Sequence, residues 1–389
     1  MAKIEIDSQQ ALENLLVEGA PVLHEVVFQG LDLRRHSQHL CGIFLRGCVF
    51  LGCRVDTQLA GHLTEQGCLF YPPVPDKPYD PFRTGLYSVE ELYDTFDPHA
   101  IDLTASYRTT TDFKIYASYR IPDDPEERIR PVLVDETLAR RIHDNSIADA
   151  LDEFIDQFPH RSVVAVMGGH AVARTDKLFG DIARLTRNLK RKGFLPASGG
   201  GPGLMEATNL GAYLAPYPDE ALERSLEILE KAPTFRSGGN WLAQAFQVRH
   251  LYPYRQGGES LGIPTWFYGH EPANLFSSHI AKYFENSWRE EGLLALAKGG
   301  ILFAPGGAGT VQEIFQDACQ NYYTTYGLQS PMIFYPRSYW DGPEAAFPVY
   351  PVMQKLAAKG GFASLLAITD NLQEIEALLE AVSPGLSNP

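Results

Sequence analysis

Two glycine turns carry the chemistry this sequence offers: Ser198-Gly-Gly-Gly-Pro-Gly-Leu-Met-Glu206 and Pro305-Gly-Gly-Ala-Gly-Thr-Val-Gln-Glu313. Without Cβ atoms, the backbone N–H groups around Gly199, Gly200, Gly201 and Gly203, and around Gly306, Gly307, Gly309 and Thr310, can close on an anion. A helix following each turn adds its unpaired N–H groups and the positive end of its dipole. Neither turn reads as the GxGxxG dinucleotide fingerprint, and no Gly-Lys pair exists to form a Walker A loop. A phosphate monoester therefore fits better than a dinucleotide or a triphosphate.

The two stretches together resemble the LOG family of phosphoribohydrolases, often labelled "lysine decarboxylase". Pro305–Glu313 matches the PGGxGTxxE signature at every fixed position, and Gly199–Met205 resembles GGGxxGLM with one intervening residue fewer. The resemblance covers about the last three-fifths of the chain. It implies hydrolysis of the N-glycosidic bond of a nucleoside 5′-monophosphate, giving free base and ribose 5-phosphate, with no metal or redox cofactor and with pairing into a homodimer or higher homo-oligomer. It also implies that Glu313 is the catalytic carboxylate, stabilising oxocarbenium charge on ribose or orienting the attacking water. Arg289 would clamp phosphate or ribose through its donor fork. Family members of the small plant type carry an Arg-Lys pair on the helix before the PGG turn; the nearest match here is Arg289-Glu290, one residue out of step. Relatives often end the first strand in Gly-Ser, where this chain has Gly168-Gly169-His170. Gly169 still belongs to the phosphate set, and His170 is a candidate phosphate or base contact. Glu271, in Tyr268-Gly-His-Glu-Pro-Ala-Asn274, follows a strand and is placed to meet ribose or base.

Each residue has a plainer reading. Thr310-Val-Gln-Glu313 is also a helix capping box. Arg289 could lie on a solvated helix face with Glu285, Glu290 and Glu291. Glu271 could cap a helix, and His170 could simply be solvated. The tyrosines Tyr322, Tyr323 and Tyr326 could stack a base or form an interface. A non-catalytic nucleotide or phosphate-ligand sensor is the alternative function, since fold does not fix chemistry. A Schiff-base lysine with a pyridoxal site has no support, and Cys41, Cys48, Cys53 and Cys68 lack zinc-ribbon spacing.

The elements that must hold these residues alternate as in a parallel α/β sheet. Strands are expected at Ser162–Met167, Phe194–Ser198 (where Pro196 is awkward), Ile263–Tyr268, Ile301–Ala304 and Met332–Tyr335. Helices are expected around Leu178–Leu189, after Gly203 with Pro202 in the first turn, over Leu275–Lys298, over Thr310–Tyr323 and over Leu372–Leu379. Residues 215–256 read as an insertion whose first helix Asp219 can cap. The expected fold is a Rossmann-like doubly wound sheet over 160–385, with a smaller β-rich accessory domain at 1–130 and a connecting helix at 131–159. Gly42, Gly47 and Gly52, with Cys48 and Cys53, give the accessory domain a five-residue rhythm, too short to stack as a solenoid by itself. Pro122, Pro125 and Pro131 mark the linker, and Phe113–Arg120 favours strand.

The balance of 33 basic against 48 acidic residues, a net charge of −15, makes nucleic acid or an anionic membrane an unlikely partner. No signal peptide or membrane-length apolar run is evident, so a cytoplasmic protein is expected.

Overall fold

The computed structural model describes residues 4–383 except 122, 123, 125, 127 and 268–270, together with Leu386. Pro122, Pro125 and Tyr268 thus lie outside the described residues. The chain divides into two compact units, one of residues 1–86 with 131–151, the other of 87–130 with 152–389.

The first unit is a small parallel solenoid. Its strands are β1 (Ile4–Ile6), β2 (Val22–His24), β3 (Val26–Gln29), β4 (Phe44–Arg46), β5 (Val49–Leu51) and β6 (Leu69–Tyr71). Ile4 pairs with Val26, Val27 with Val49 and Val22 with Phe44, a return to register after 22 residues, and Val49 pairs with Leu69 after 20. Helices at Gln9–Glu18, Ser37–Leu40 and Thr57–Glu65 close successive coils. The five-residue rhythm is therefore not the repeat. Gly47 and Gly52 are two corners of one coil, whereas Gly30 and Gly52 (φ 69° and 64°) occupy the same corner of successive coils. Phe28 stacks on Phe50 at 4.7 Å between ring centres. Cys48 donates to Leu23 O and Cys68 to Leu45 O, each thiol reaching the neighbouring coil. Burial pushes the Cys53 and Cys68 thiols up to about 11, which keeps them unreactive.

The second unit holds seven strands, all parallel: β7 (Val163–Met167), β8 (Leu195–Ser198), β9 (Leu261–Gly262), β10 (His279–Ile280), β11 (Gly300–Phe303), β12 (Met332–Phe334) and β13 (Leu366–Ile368). Their order is β10-β9-β8-β7-β11-β12-β13. The chain winds outward from β7 to β10, then crosses back to β11 on the other side of β7. The fold is a Rossmann-like doubly wound α/β sheet, and its switch point lies between β7 and β11. Ligands in such sheets bind beyond the strand C-termini at that point.

Several local expectations are corrected. Pro196 sits in an interior strand without losing a ladder bond. Leu195 N donates to Ser162 O on the β7 side; the next nitrogen then faces the β9 side, where pairing begins only at Ala197. The third strand is Leu261–Gly262, not Ile263–Tyr268. No helix covers Leu275–Lys298: Ser278 Oγ accepts from Ser260 N and donates to Ser260 O, drawing His279–Ile280 alongside β9. The helix starts only at Asn286 and ends at Leu296. Phe113–Arg120 is not a strand but lies largely within the helix Thr111–Tyr119, with Asp112, Ile115, Tyr116 and Tyr119 buried at helical spacing. Asp112 there receives Lys282 Nζ at 2.6 Å, Trp266 Nε1 at 3.1 Å and Tyr107 Oη at 3.0 Å, a buried anchor that outweighs β-propensity. Pro202 precedes the helix Leu204–Tyr213 rather than joining its first turn, and Asp219 lies inside the helix Asp219–Leu229, paired with Arg187 and Arg191. Among the described residues no helix is long and apolar enough to cross a membrane.

Candidate functional site

Three turns meet at the switch point. Gly169 N, just past β7, donates to Pro305 O at 2.8 Å, just past β11. A Cβ on Gly306 would stand 2.2 Å from Thr310 Oγ1 and 3.2 Å from Gly169 N. Gly203, at φ +68°, comes so near that its Cβ would be 2.5 Å from Gly169 O. The glycines here let three backbones touch. Gly307 and Gly309 differ, for a Cβ on either meets nothing within 4 Å. Their missing side chains leave space above the turn rather than packing inside it. Tyr339 Oη donates to Gly306 O at 2.8 Å and steadies the turn from below, a support with no signal in the sequence.

The helix Ala308–Tyr323 starts at this turn, with Gly307 as its cap residue and no side-chain cap. Thr310 is therefore the third helical residue, so the capping-box reading of Thr310 and Glu313 fails. Thr310, Glu313, Asp317 and Asn321 instead form a buried polar stripe. Burial pushes the Glu313 carboxyl up to about 7; Arg289 draws it down, and Glu290 adds to the rise. Arg289 Nη1 lies 3.6 Å from Glu313 Oε1, an ion contact too long for a hydrogen bond. The Arg289 side chain is only 14% exposed and its Nε has no hydrogen-bond partner, so the solvated-face reading fails for it. Glu290 also faces inward, taking Asn286 Nδ2 at 2.5 Å and Gln312 Nε2 at 2.7 Å. Asp317, one turn beyond Glu313, is fully desolvated, which holds its carboxyl well above the usual range.

The Gly199–Gly203 turn rests on a buried polar network that sequence reasoning missed. Asn274 Nδ2 donates to Gly201 O at 3.2 Å and to Asn209 Oδ1 at 2.9 Å, and Asn274 N donates to Gly200 O at 2.8 Å. Ser198 Oγ donates to Asn209 Oδ1 and accepts from Gly200 N. Asn274→Ala is expected to cost about 3 kcal/mol, since it strands several buried partners at once. The urea-unfolding midpoint would register it.

The same turn gathers the remaining candidates. A Cβ on Gly199 would lie 2.5 Å from Arg289 Nη2, and one on Gly201 would lie 3.7 Å from Glu271 Oε2. Glu271 Oε1 is 3.5 Å from His170 Nδ1. His170 and Glu271 border a cavity of about 560 Å³, with Thr104, Tyr107, Phe235 and Arg236 among its walls. The predicted residues thus converge, in the order Thr310, Glu313, Arg289, Gly199, Gly201, Glu271 and His170. Tyr322, Tyr323 and Tyr326 lie at the far end of the helix Ala308–Tyr323 and beyond it. Among the described residues, no group of three or more His, Cys, Asp or Glu side chains comes together as a metal site would need.

No protein-family model matches the chain, and no curated protein does. Among solved structures it is similar to TM1055, a structural-genomics target, with 18% identity and a TM-score of 0.34 over 57% of this chain and 99% of that one. It is similar also to the molybdenum cofactor binding protein of the phototrophic bacterium Rippkaea orientalis, with 14% identity and a TM-score of 0.33 over 57% of this chain and 98% of that one.

Proposed function

We propose that this chain hydrolyses the N-glycosidic bond of nucleoside 5′-monophosphates, releasing free base and ribose 5-phosphate. The observation that carries the reading is Glu313: a buried carboxylate beside a guanidinium, one turn into a helix whose N-terminus opens on an uncrowded glycine turn. The 5′-phosphate sits over Gly306–Thr310 and takes the unpaired helix N–H groups, with Gly169 and Gly199–Gly203 closing the other side. That anchor fixes ribose beside Glu313 and Arg289, so binding energy remote from the broken bond is used for orientation. With its carboxyl near 7, Glu313 is partly ionised at neutral pH and suited to take a proton from water. As carboxylate it also faces the positive charge growing on ribose.

The chain works as a homo-oligomer in this reading. Phe315 (42% exposed) and Tyr323 (72%) on the helix Ala308–Tyr323, with Trp288 (45%) on its neighbour, leave an apolar face open to a second copy. The net charge of −15 disfavours nucleic acid and anionic membrane, while the glycine turns can locally oppose that field for a small anion.

The test is incubation with AMP, GMP, CMP, UMP and IMP, assaying base and ribose 5-phosphate, with Glu313→Gln as control. Release by the unaltered chain alone supports the reading and names the base. Stable nucleotide binding without release, seen as thermal protection, would place the chain among carriers or sensors.

A further inference from the structure

The cavity beside the turns is walled by segments that the glycine motifs do not include. Thr104 and Tyr107 come from the helix Leu103–Arg108, and Phe235, Arg236, Gly239 and Leu242 come from the stretch read as an insertion. Tyr107 is fixed from behind, its hydroxyl bound to buried Asp112 at 3.0 Å. His170, Glu271 and Pro272 complete the wall, and the Phe235 ring meets the imidazole edge-on at 6.0 Å between ring centres. The His170 backbone is gripped by Gly203, whose Cβ would stand 2.7 Å from His170 O.

Resting on the proposed hydrolysis, we infer that this cavity holds the leaving base and that His170 is its general acid. Two features carry the inference. First, His170 stands between the phosphate turns and a cavity of about 560 Å³, large enough for a purine. Second, Glu271 Oε1 lies 3.5 Å from Nδ1, engaging that side of the ring and leaving Nε2 as the atom that would meet the base. Water attacks C1′ and gives its proton to the Glu313 carboxylate, while the C1′–N bond breaks with its electron pair going to the base. The base takes a proton from His170 Nε2, and solvent returns the proton from Glu313 to the imidazole. Base and acid are then separate groups, Glu313 in the helix that follows β11 and His170 in the turn that follows β7.

The test is His170→Gln in the full chain, which is safe for folding because the side chain is half-exposed. On the preferred nucleotide, kcat is expected to fall about 100- to 1000-fold with KM little changed. A base that already carries positive charge leaves without a proton. Cleavage of 7-methylguanosine 5′-monophosphate or nicotinamide mononucleotide is therefore expected within about threefold of the unaltered chain, while Glu313→Gln loses both kinds of substrate. An unchanged kcat on the preferred nucleotide would overturn the acid role. So would a rise in KM alone, or equal losses on charged and neutral bases. Absence of turnover by the unaltered chain on every nucleotide would instead sink the hydrolysis itself, and the acid role with it.

Discussion

Glu313→Gln is expected to abolish turnover while making the protein more stable at pH 8. The two effects share one cause. The carboxyl is pushed from an ordinary 4.5 to about 7 because burial disfavours its charge. Below pH 4.5 folded and unfolded chains both hold the proton, so burial costs nothing there. Between 4.5 and 7 the unfolded chain releases it and the folded chain does not. Stability is lost across that window, by about 3 kcal/mol at 1.36 kcal/mol per pKa unit. Gln carries no charge to desolvate, so the variant should unfold several degrees higher at pH 8 and close to the unaltered protein at pH 4.5. Turnover should fall about 10³-fold or more while nucleotide is still bound, as loss of a catalytic carboxylate predicts. The activity of the unaltered chain should rise through pH 7 as Glu313 ionises. Equal thermal midpoints of both proteins at pH 8 would count against a buried, strained carboxylate.

The second large effect separates glycines that serve the fold from glycines that serve a ligand. Gly306→Ala puts a Cβ 2.2 Å from Thr310 Oγ1 and should destabilise the chain by about 2 kcal/mol or more. Gly307→Val and Gly309→Val place their side chains in open space, so stability should change by no more than about 1 kcal/mol. Both should nevertheless abolish nucleotide binding, because the added carbons occupy the volume assigned to phosphate. Thermal melts with and without nucleotide read both quantities together. Retained thermal protection in the Gly307→Val protein would remove phosphate from this turn.

How much of this was legible in the sequence depended on whether local pattern or distant pairing decided each element. β7, β11 and the helix Ala308–Tyr323 followed from apolar runs ended by glycine, because buried parallel strands and their turns write themselves locally. His279–Ile280 did not, since its strand state is set by Ser260 on another segment. The 22-residue solenoid was hidden for a similar reason: its repeat lies in inter-strand register and corner glycines, while a shorter glycine rhythm within one coil was the more visible. At the site, the glycine turns stood out by their spacing, whereas Glu313 was singled out through the resemblance. Arg289 was expected on a helix over Leu275–Lys298, whereas the helix that carries it is Asn286–Leu296, and only the fold turns its side chain to Glu313. Asn274, Tyr339 and Asp317 were unreadable, because each acts through a contact with a residue far away in sequence or through burial alone. The capping-box reading of Glu313 failed because the cap position falls on Gly307, three residues before Thr310.

The measurement closest to the central claim compares base release from nucleoside 5′-monophosphates with release from the matching nucleosides, using the full chain at pH 7.5. A phosphate anchored at Gly306–Thr310 and a carboxylate at Glu313 predict ribose 5-phosphate and free base from the nucleotide. They also predict kcat/KM lower by about 10³-fold or more for the nucleoside, because the anchoring group is gone. Equal rates for nucleotide and nucleoside, or no release from any nucleotide, would contradict the account.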